Sequence, residues 1–322
     1  MQMTTLGSTG LNVSRLCLGS MQFGWTADEE QSFAVMDAFG EAGGNFIDTA
    51  DVYSNWAQEN RGGESEEIIG RWMKARANRA SLVIATKLRG RMWEGADGEG
   101  LARAHVLRAA DESLRRLQTD YLDFYQCHWP DDATPIEETL RAFEELVKVG
   151  KVRHVGVSNF PVARMQEALD VALAHNLPRF ETLQPHHSLV HRKEFEDGPQ
   201  QFCVRQSMGV IPYSPLAGGF LTGKYIKGGP RVASQRSSSV SEYFTAQGWG
   251  VLDVVRTVAE AHRTTPSAVA LAWQLAQPGI TASIVGANTP QQLADQLPAP
   301  GLALNHTDLA TLETASAPFR QH

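Results

Sequence analysis

The chain has 322 residues, 42% of them hydrophobic, enough to bury a substantial core in one large α/β domain or two smaller ones. Its 29 Lys and Arg against 36 Asp and Glu leave a formal charge of -7, with the basic residues dispersed, which argues against a nucleic-acid partner. Cys17, Cys127 and Cys203 form no C-x-x-C pair, no apolar run is long enough to span a bilayer, and Met1 to Thr5 lacks a basic-then-apolar leader, so a cytoplasmic protein without disulfide framework or structural zinc is expected.

Residues 3–15 carry Leu6-Gly7-Ser8-Thr9-Gly10-Leu11, a glycine-punctuated turn between two short extended runs, and predict a β-hairpin. From there, short β-branched apolar runs alternate with amphipathic segments. The pattern predicts strands at 16–20, 45–50, 82–87, 121–128, 154–158, 181–185, 209–214 and 281–285. Helical spacing is clearest at 105–118 and 135–149, where Pro135 opens the second helix and Gly150 stops it. Eight βα units with no linker predict one (β/α)8 TIM barrel over 1–322, its bottom plugged by the hairpin. An open doubly wound sheet fits less well, because no G-x-G-x-x-G follows any strand.

Two long βα loops, 53–64 and 217–248, fall at the C-terminal face, where barrel active sites are built. The second holds Gly218, Gly219, Lys224, Lys227, Gly228, Gly229, Arg231 and Arg236, the composition of a loop able to fold over phosphates. Three strands end in proton-handling groups: Asp48 with Tyr53 five residues later, Lys87, and His128. Reduction of a carbonyl needs a proton for the developing alkoxide, and Tyr53 is the candidate donor. A neighbouring Lys87 would bring its pKa down from about 10, Asp48 would hold Lys87 charged, and His128 would orient the carbonyl oxygen. Singly, each residue has a duller explanation as a turn cap, loop aromatic, surface lysine or rim histidine. Jointly, four such groups at the ends of strands two, three and four converge on one mouth.

Asn45-Phe46-Ile47-Asp48-Thr49-Ala50 with Tyr53, Ala85-Thr86-Lys87, Gln126-Cys127-His128-Trp129-Pro130-Asp131, Leu183-Gln184-Pro185, Tyr213-Ser214-Pro215-Leu216-Ala217-Gly218-Gly219 and Ile284-Val285-Gly286-Ala287 resemble, in order, segments of the aldo-keto reductase superfamily, near its bacterial aryl-alcohol dehydrogenase-like branch. The resemblance implies Asp48, Tyr53, Lys87 and His128 as a catalytic tetrad and NADP(H) extended across the mouth. It implies Ser158, Asn159 and Gln184 on the nicotinamide carboxamide, Tyr213 stacked on the ring, and Ser214, Leu216 and Gly218 along the pyrophosphate. Gly19, Ser20, Met21, Asp48 and Lys224 are further expected cofactor contacts. Gly286, Asn288, Gln292 and Gln296 match the adenosine-phosphate site. Asn288 stands where many relatives have arginine, which weakens the expected phosphate grip and makes NAD(H) the alternative.

Trp25, Trp56, Trp93 and Trp129 follow the first four strands and suggest an apolar or aromatic pocket, with Trp25, Trp93 and Trp129 as substrate contacts for a small carbonyl or alcohol. His186, His187 and His191 lack the acidic residue of a hydrolase zinc signature, and Phe160 breaks a nucleophile elbow at 156–160, so neither a metal nor a serine hydrolase is expected. The competing functional expectation is a cofactor-binding regulatory protein of the channel β-subunit kind, which shares this barrel and tetrad.

Overall fold

The computed structural model describes residues 1–95, 97–229 and 240–321. Arg231 and Arg236 of the long loop lie outside the described residues. An antiparallel hairpin of β1 (Met3–Thr5) and β2 (Asn12–Ser14) precedes eight parallel strands. These are β3 (Leu16–Gly19), β4 (Phe46–Asp48), β5 (Val83–Leu88), β6 (Leu122–Cys127), β7 (Val152–Ser158), β8 (Thr182–Gln184), β9 (Gly209–Val210) and β10 (Ser283–Val285). Neighbours run in the order β10-β3-β4-β5-β6-β7-β8-β9. Thr281 N–H to Val210 O at 2.9 Å and Ile284 N–H to Pro212 O at 3.0 Å close the ring into the expected (β/α)8 barrel. The strand expected at 209–214 is regular only over β9, because Pro212 has no N–H to add to a ladder. Ile211 and Tyr213 nevertheless donate to Leu183 O and Pro185 O, so the chain still follows β8 upward.

The helices α1 (Glu29–Glu41), α2 (Glu64–Arg76), α3 (Arg103–Leu117), α4 (Ile136–Lys148) and α5 (Val162–His175) cross between the earlier strands. Later crossovers include Pro199–Gln206 and Pro266–Leu275. At α4 the expected start holds: Pro135 is the N-cap, and Gly150 takes φ +77° just past the end.

Strand alternation sorts side chains into two cores. Leu16, Leu18, Ile47, Ile84, Leu88, Tyr125, Val155 and Val157 face outward onto the helices. Cys17, Phe46, Val83, Ala85, Phe124, Ile211, Ala282 and Ile284 fill the barrel, joined from below by Leu6 and Val13 of the hairpin. Leu6 is fully buried, which is worth ~1.5–3 kcal/mol for such a side chain. Gly7, at φ +52°, lies so close to the start of β9 that a Cβ there would meet Gly209 N at 2.3 Å. The hairpin therefore plugs the barrel, and only a residue without a side chain fits its tip.

Candidate active site

The inward-facing set changes character near the strands' C-terminal ends. Asp48 stands two residues above Phe46, Lys87 two above Ala85, and Gln126 and His128 two and four above Phe124. The same parity gives Ser158 on β7 and Gln184 on β8. An apolar barrel floor thus carries a polar layer, with Asp48 1% and Lys87 0% exposed.

Lys87 Nζ donates to Asp48 Oδ2 at 2.7 Å, to Tyr53 Oη at 2.9 Å and to Thr49 O at 2.9 Å. Burial opposes the ammonium, but Asp48 and then Tyr53 outweigh it, and the Lys87 pKa is raised above that of a free lysine. The lysine is a fixed cation with all three protons placed. Asp48 Oδ1 accepts from Gln184 Nε2 at 2.8 Å, so both carboxylate oxygens are engaged.

The expected lowering of the Tyr53 pKa is corrected here. Burial is the largest influence and raises it, Lys87 pulls it down, Asp48 pushes it up again, and the net direction is upward. Tyr53 is accordingly a protonated phenol at neutral pH, hydrogen-bonded to an ammonium. His128 lies edge-on to Tyr53 with ring centroids 5.8 Å apart. Burial, with Lys87 adding, holds His128 well below the usual imidazole range, so it is neutral.

His105, His186 and His187 are likewise held below the imidazole range, burial being the main cause for each, and His186 comes down to about 3. The unfolded chain would protonate these histidines and His128 near pH 6.5 while the native chain would not. Stability is then fully present above about pH 6.5 and is lost as pH falls below it, by up to ~1.4 kcal/mol per pH unit for each histidine. Urea unfolding at intervals from pH 7.5 to 5 is expected to show this early decline. A flat profile over that range contradicts it.

Of the expected substrate contacts, Trp129 stacks on His128 at 3.8 Å and Trp25 meets Trp56 edge-on at 5.5 Å. Trp93 does not join them. Its ring lies against His105 at 5.0 Å, with the Arg108 guanidinium at 4.1 Å, because α3 offers a π surface and a cation there. Trp56 takes its place beside Tyr53 at 6.2 Å. Trp56, beside the phenol, and Trp129, on His128, remain 46% and 40% exposed.

The residues expected at the cofactor also gather on the rim. Gly19 ends β3 so close to β10 that a Cβ would meet Ile284 Cγ2 at 2.6 Å. Ser20 spends its hydroxyl on Asp48 O at 2.9 Å, and Met21 sits half-exposed in the next turn. Ser158 Oγ donates to Gln184 O at 2.8 Å. Asn159, at φ +60°, donates to His128 O at 3.1 Å and accepts from Tyr213 Oη at 2.9 Å. Tyr213 stacks on His186 at 5.0 Å. Ser214, Ala217, Gly218 and Gly219 all have positive φ, a turn run that bends the backbone around a concave edge, and Leu216 lies within it. A Cβ on Gly219 would lie 3.0 Å from Lys224 Nζ, so that ammonium stands over the turn.

Gln22, in the turn after β3, bridges Gly19 O at 3.0 Å and Ala287 O at 2.9 Å and lines Gly286 beyond β10. Asn288 Oδ1 accepts from Thr26 Oγ1 at 3.2 Å, and its N–H donates to Gln292 Oε1 at 2.9 Å. Gln296 Nε2 donates to Gly286 O and Gln292 O.

Residues 15–317 match the aldo/keto reductase family. The chain belongs to that family. It is 36% identical to the uncharacterized oxidoreductase YrpG of Bacillus subtilis (strain 168) over 318 residues, 97% of this chain and 95% of that protein. It is 32% identical to protein tas of Escherichia coli (strain K12), over 97% of each chain. A probable voltage-gated potassium channel subunit beta of Oryza sativa subsp. japonica is 31% identical over 93% of this chain and 91% of its own. This aldo/keto reductase is an oxidoreductase of barrel fold, from a family that generally uses nicotinamide cofactors and acts on small-molecule carbonyl compounds.

Two residues of this polar cluster were not anticipated from the sequence. Gln126 is fully buried beside Asp48, 3.5 Å from Oδ1, and its parity with Phe124 on β6 was the available signal. Gln22, in the turn after β3, carried no periodic signal. The three neighbouring histidines are otherwise occupied: His187 bonds Glu196 at 3.0 Å, His191 bonds Glu194 at 2.9 Å, and His186 stacks on His191 at 3.6 Å. Among the described residues, no group of three or more His, Cys, Asp or Glu could hold a metal ion, and no helix is long and apolar enough to cross a membrane.

Proposed function

We propose that the chain, acting as one barrel domain in the cytoplasm, reduces an aldehyde or ketone to the alcohol with NADP(H), and that NAD(H) is its alternative cofactor. The observation that carries this reading is Lys87 Nζ shared between Asp48 Oδ2 and Tyr53 Oη at hydrogen-bonding distance on the barrel's C-terminal rim. Bound nicotinamide supplies the hydride. Tyr53 gives its proton to the oxygen as negative charge develops there, and Lys87 stabilises the tyrosinate left behind. Asp48 keeps Lys87 aimed at the phenol. Neutral His128, beside Tyr53, orients the carbonyl oxygen and carries no charge to compete for it.

The rim from β7 to β10 suits a dinucleotide. The free face of Tyr213 offers a stacking surface opposite His186, and the positive-φ turn at 214–219 with Lys224 above it suits a pyrophosphate. At the adenosine end, Asn288 takes the place of a guanidinium fork, and its N–H already bonds Gln292. Fluorescence titration with NADPH and NADH side by side is expected to give a preference for NADPH of less than about tenfold, some 1.4 kcal/mol. A preference of a thousandfold contradicts this account of Asn288.

The rice relative is named as a probable channel subunit beta, which supports a second reading of this chain as a regulatory subunit; that reading expects cofactor binding without turnover. A carbonyl panel run with the preferred cofactor separates the two. Turnover that depends on Tyr53 supports the reductase, and tight cofactor binding with negligible turnover on every carbonyl supports the subunit.

A further inference from the structure

Four arginines follow β5 through the loop and the first two turns of α3: Arg89, Arg91, Arg103 and Arg108. Arg91 pairs with Glu99, Arg103 with Glu145 at 2.6 Å, and Arg108 with Asp97 at 3.2 Å. Arg89, nearest the mouth, makes no ion pair among the described residues, and its Nε is buried without a hydrogen-bond partner. The carboxylate that feels its charge, Asp131, spends its oxygens on Leu101 N, Ala133 N and Thr134 Oγ1.

The backbone singles out the same residue. Arg89 has φ +119°, a conformation glycine takes freely and arginine takes only at a cost. Its surroundings hold it there. Arg89 O accepts from Gly100 N at 2.9 Å, and Gly90 packs so tightly on the loop bearing Tyr53 that a Cβ would meet Val52 Cγ1 at 2.2 Å. Strain kept at such a point is a signature of use, and what glycine would lack is the guanidinium.

Arg89 stands two residues beyond Lys87, about 7 Å further along the strand direction. In the barrel order β5 lies across from β9, so Arg89 is on the far side of the mouth from Tyr213 and the 214–219 turn. An anion at Arg89 therefore belongs to the substrate rather than to the cofactor proposed for the β7 to β10 rim. We propose that Arg89 recognises a carboxylate on the substrate, whose planar body lies between Trp56 and Trp129, so that the substrate class is carboxylated aldehydes. The proposal rests on the carbonyl-reductase reading above.

The test compares 4-carboxybenzaldehyde with benzaldehyde as substrates for the native chain, Arg89→Gly and Arg89→Lys. The native chain is expected to favour the carboxylated aldehyde at least tenfold in kcat/KM, mainly through KM. Arg89→Gly is expected to remove that preference while its Tm stays at or above native, because glycine relieves the strained φ. Arg89→Lys should keep part of the preference, a point charge without the fork. Equal losses on both aldehydes, or no native preference, overturn the proposal and leave the reductase reading standing. If the native chain reduces neither aldehyde, that reading fails first. Tryptophan quenching by benzoate against benzamide then decides Arg89 alone: benzoate-selective binding lost in Arg89→Gly supports it, and its absence overturns it.

Discussion

Replacing Tyr53 with phenylalanine is expected to lower carbonyl reduction by about 10²- to 10⁴-fold while leaving the fold intact. The substitution removes one oxygen from a ring that lies against Trp56 and His128 at the mouth. Lys87 keeps Asp48 and Thr49 O as partners, so no buried charge is orphaned, and the thermal midpoint should move little. KM for the carbonyl should change less than kcat, since the lost interaction forms with the developing alkoxide rather than the ground state. Because burial raises the Tyr53 pKa, reduction should hold steady from pH 6 to 9 and decline only above the ordinary tyrosine range. Oxidation of the alcohol requires the tyrosinate and should instead climb with pH. Steady-state rates in both directions over pH 6 to 10 check this. A reduction rate falling through pH 7 to 8 would show that Lys87 does win over burial once the site is loaded.

The barrel and its polar rim were legible because both rest on strand alternation. Phe46 and Asp48, Ala85 and Lys87, Phe124 and His128 obey a period of two that is written in the chain, and parity alone puts each acid, base or amide above an apolar neighbour. Less legible was anything set by contacts between distant segments. Trp93 and Trp56 both sit in loops after rim strands, yet α3 draws the first away with His105 and Arg108, while Trp25 and Tyr53 keep the second at the mouth. The direction of the Tyr53 shift depends on a balance between burial and a charge 2.9 Å away, and a motif records the charge but not the burial. The φ of Arg89 is invisible in sequence, because glycine at position 90 advertises the turn one residue too late.

Behind the tetrad lies a second buried charge whose removal should cost the most stability. Arg116 of α3, 7% exposed, donates to Glu66 Oε2 of α2 at 2.6 Å, and Glu66 Oε1 accepts from Thr86 Oγ1 at 2.5 Å. Thr86 is on β5 beside Lys87 and faces the opposite way, so this chain of contacts ties two helices to the outer side of β5. Asp51 is buried nearby with both oxygens unpartnered, and burial followed by the Glu66 charge pushes it well above the carboxylate range, so it is a neutral acid. Glu66 therefore depends on Arg116 for compensation. Arg116→Met should cost ~3–5 kcal/mol, the range for leaving one member of a buried pair alone. For a chain of this size that lowers Tm by about 4–7 °C. The double variant Glu66→Gln with Arg116→Met should recover much of the loss, since it removes the stranded charge as well. Thermal melts of the native chain and both variants measure it; a double variant no more stable than the single would assign the loss to packing of the arginine stem instead.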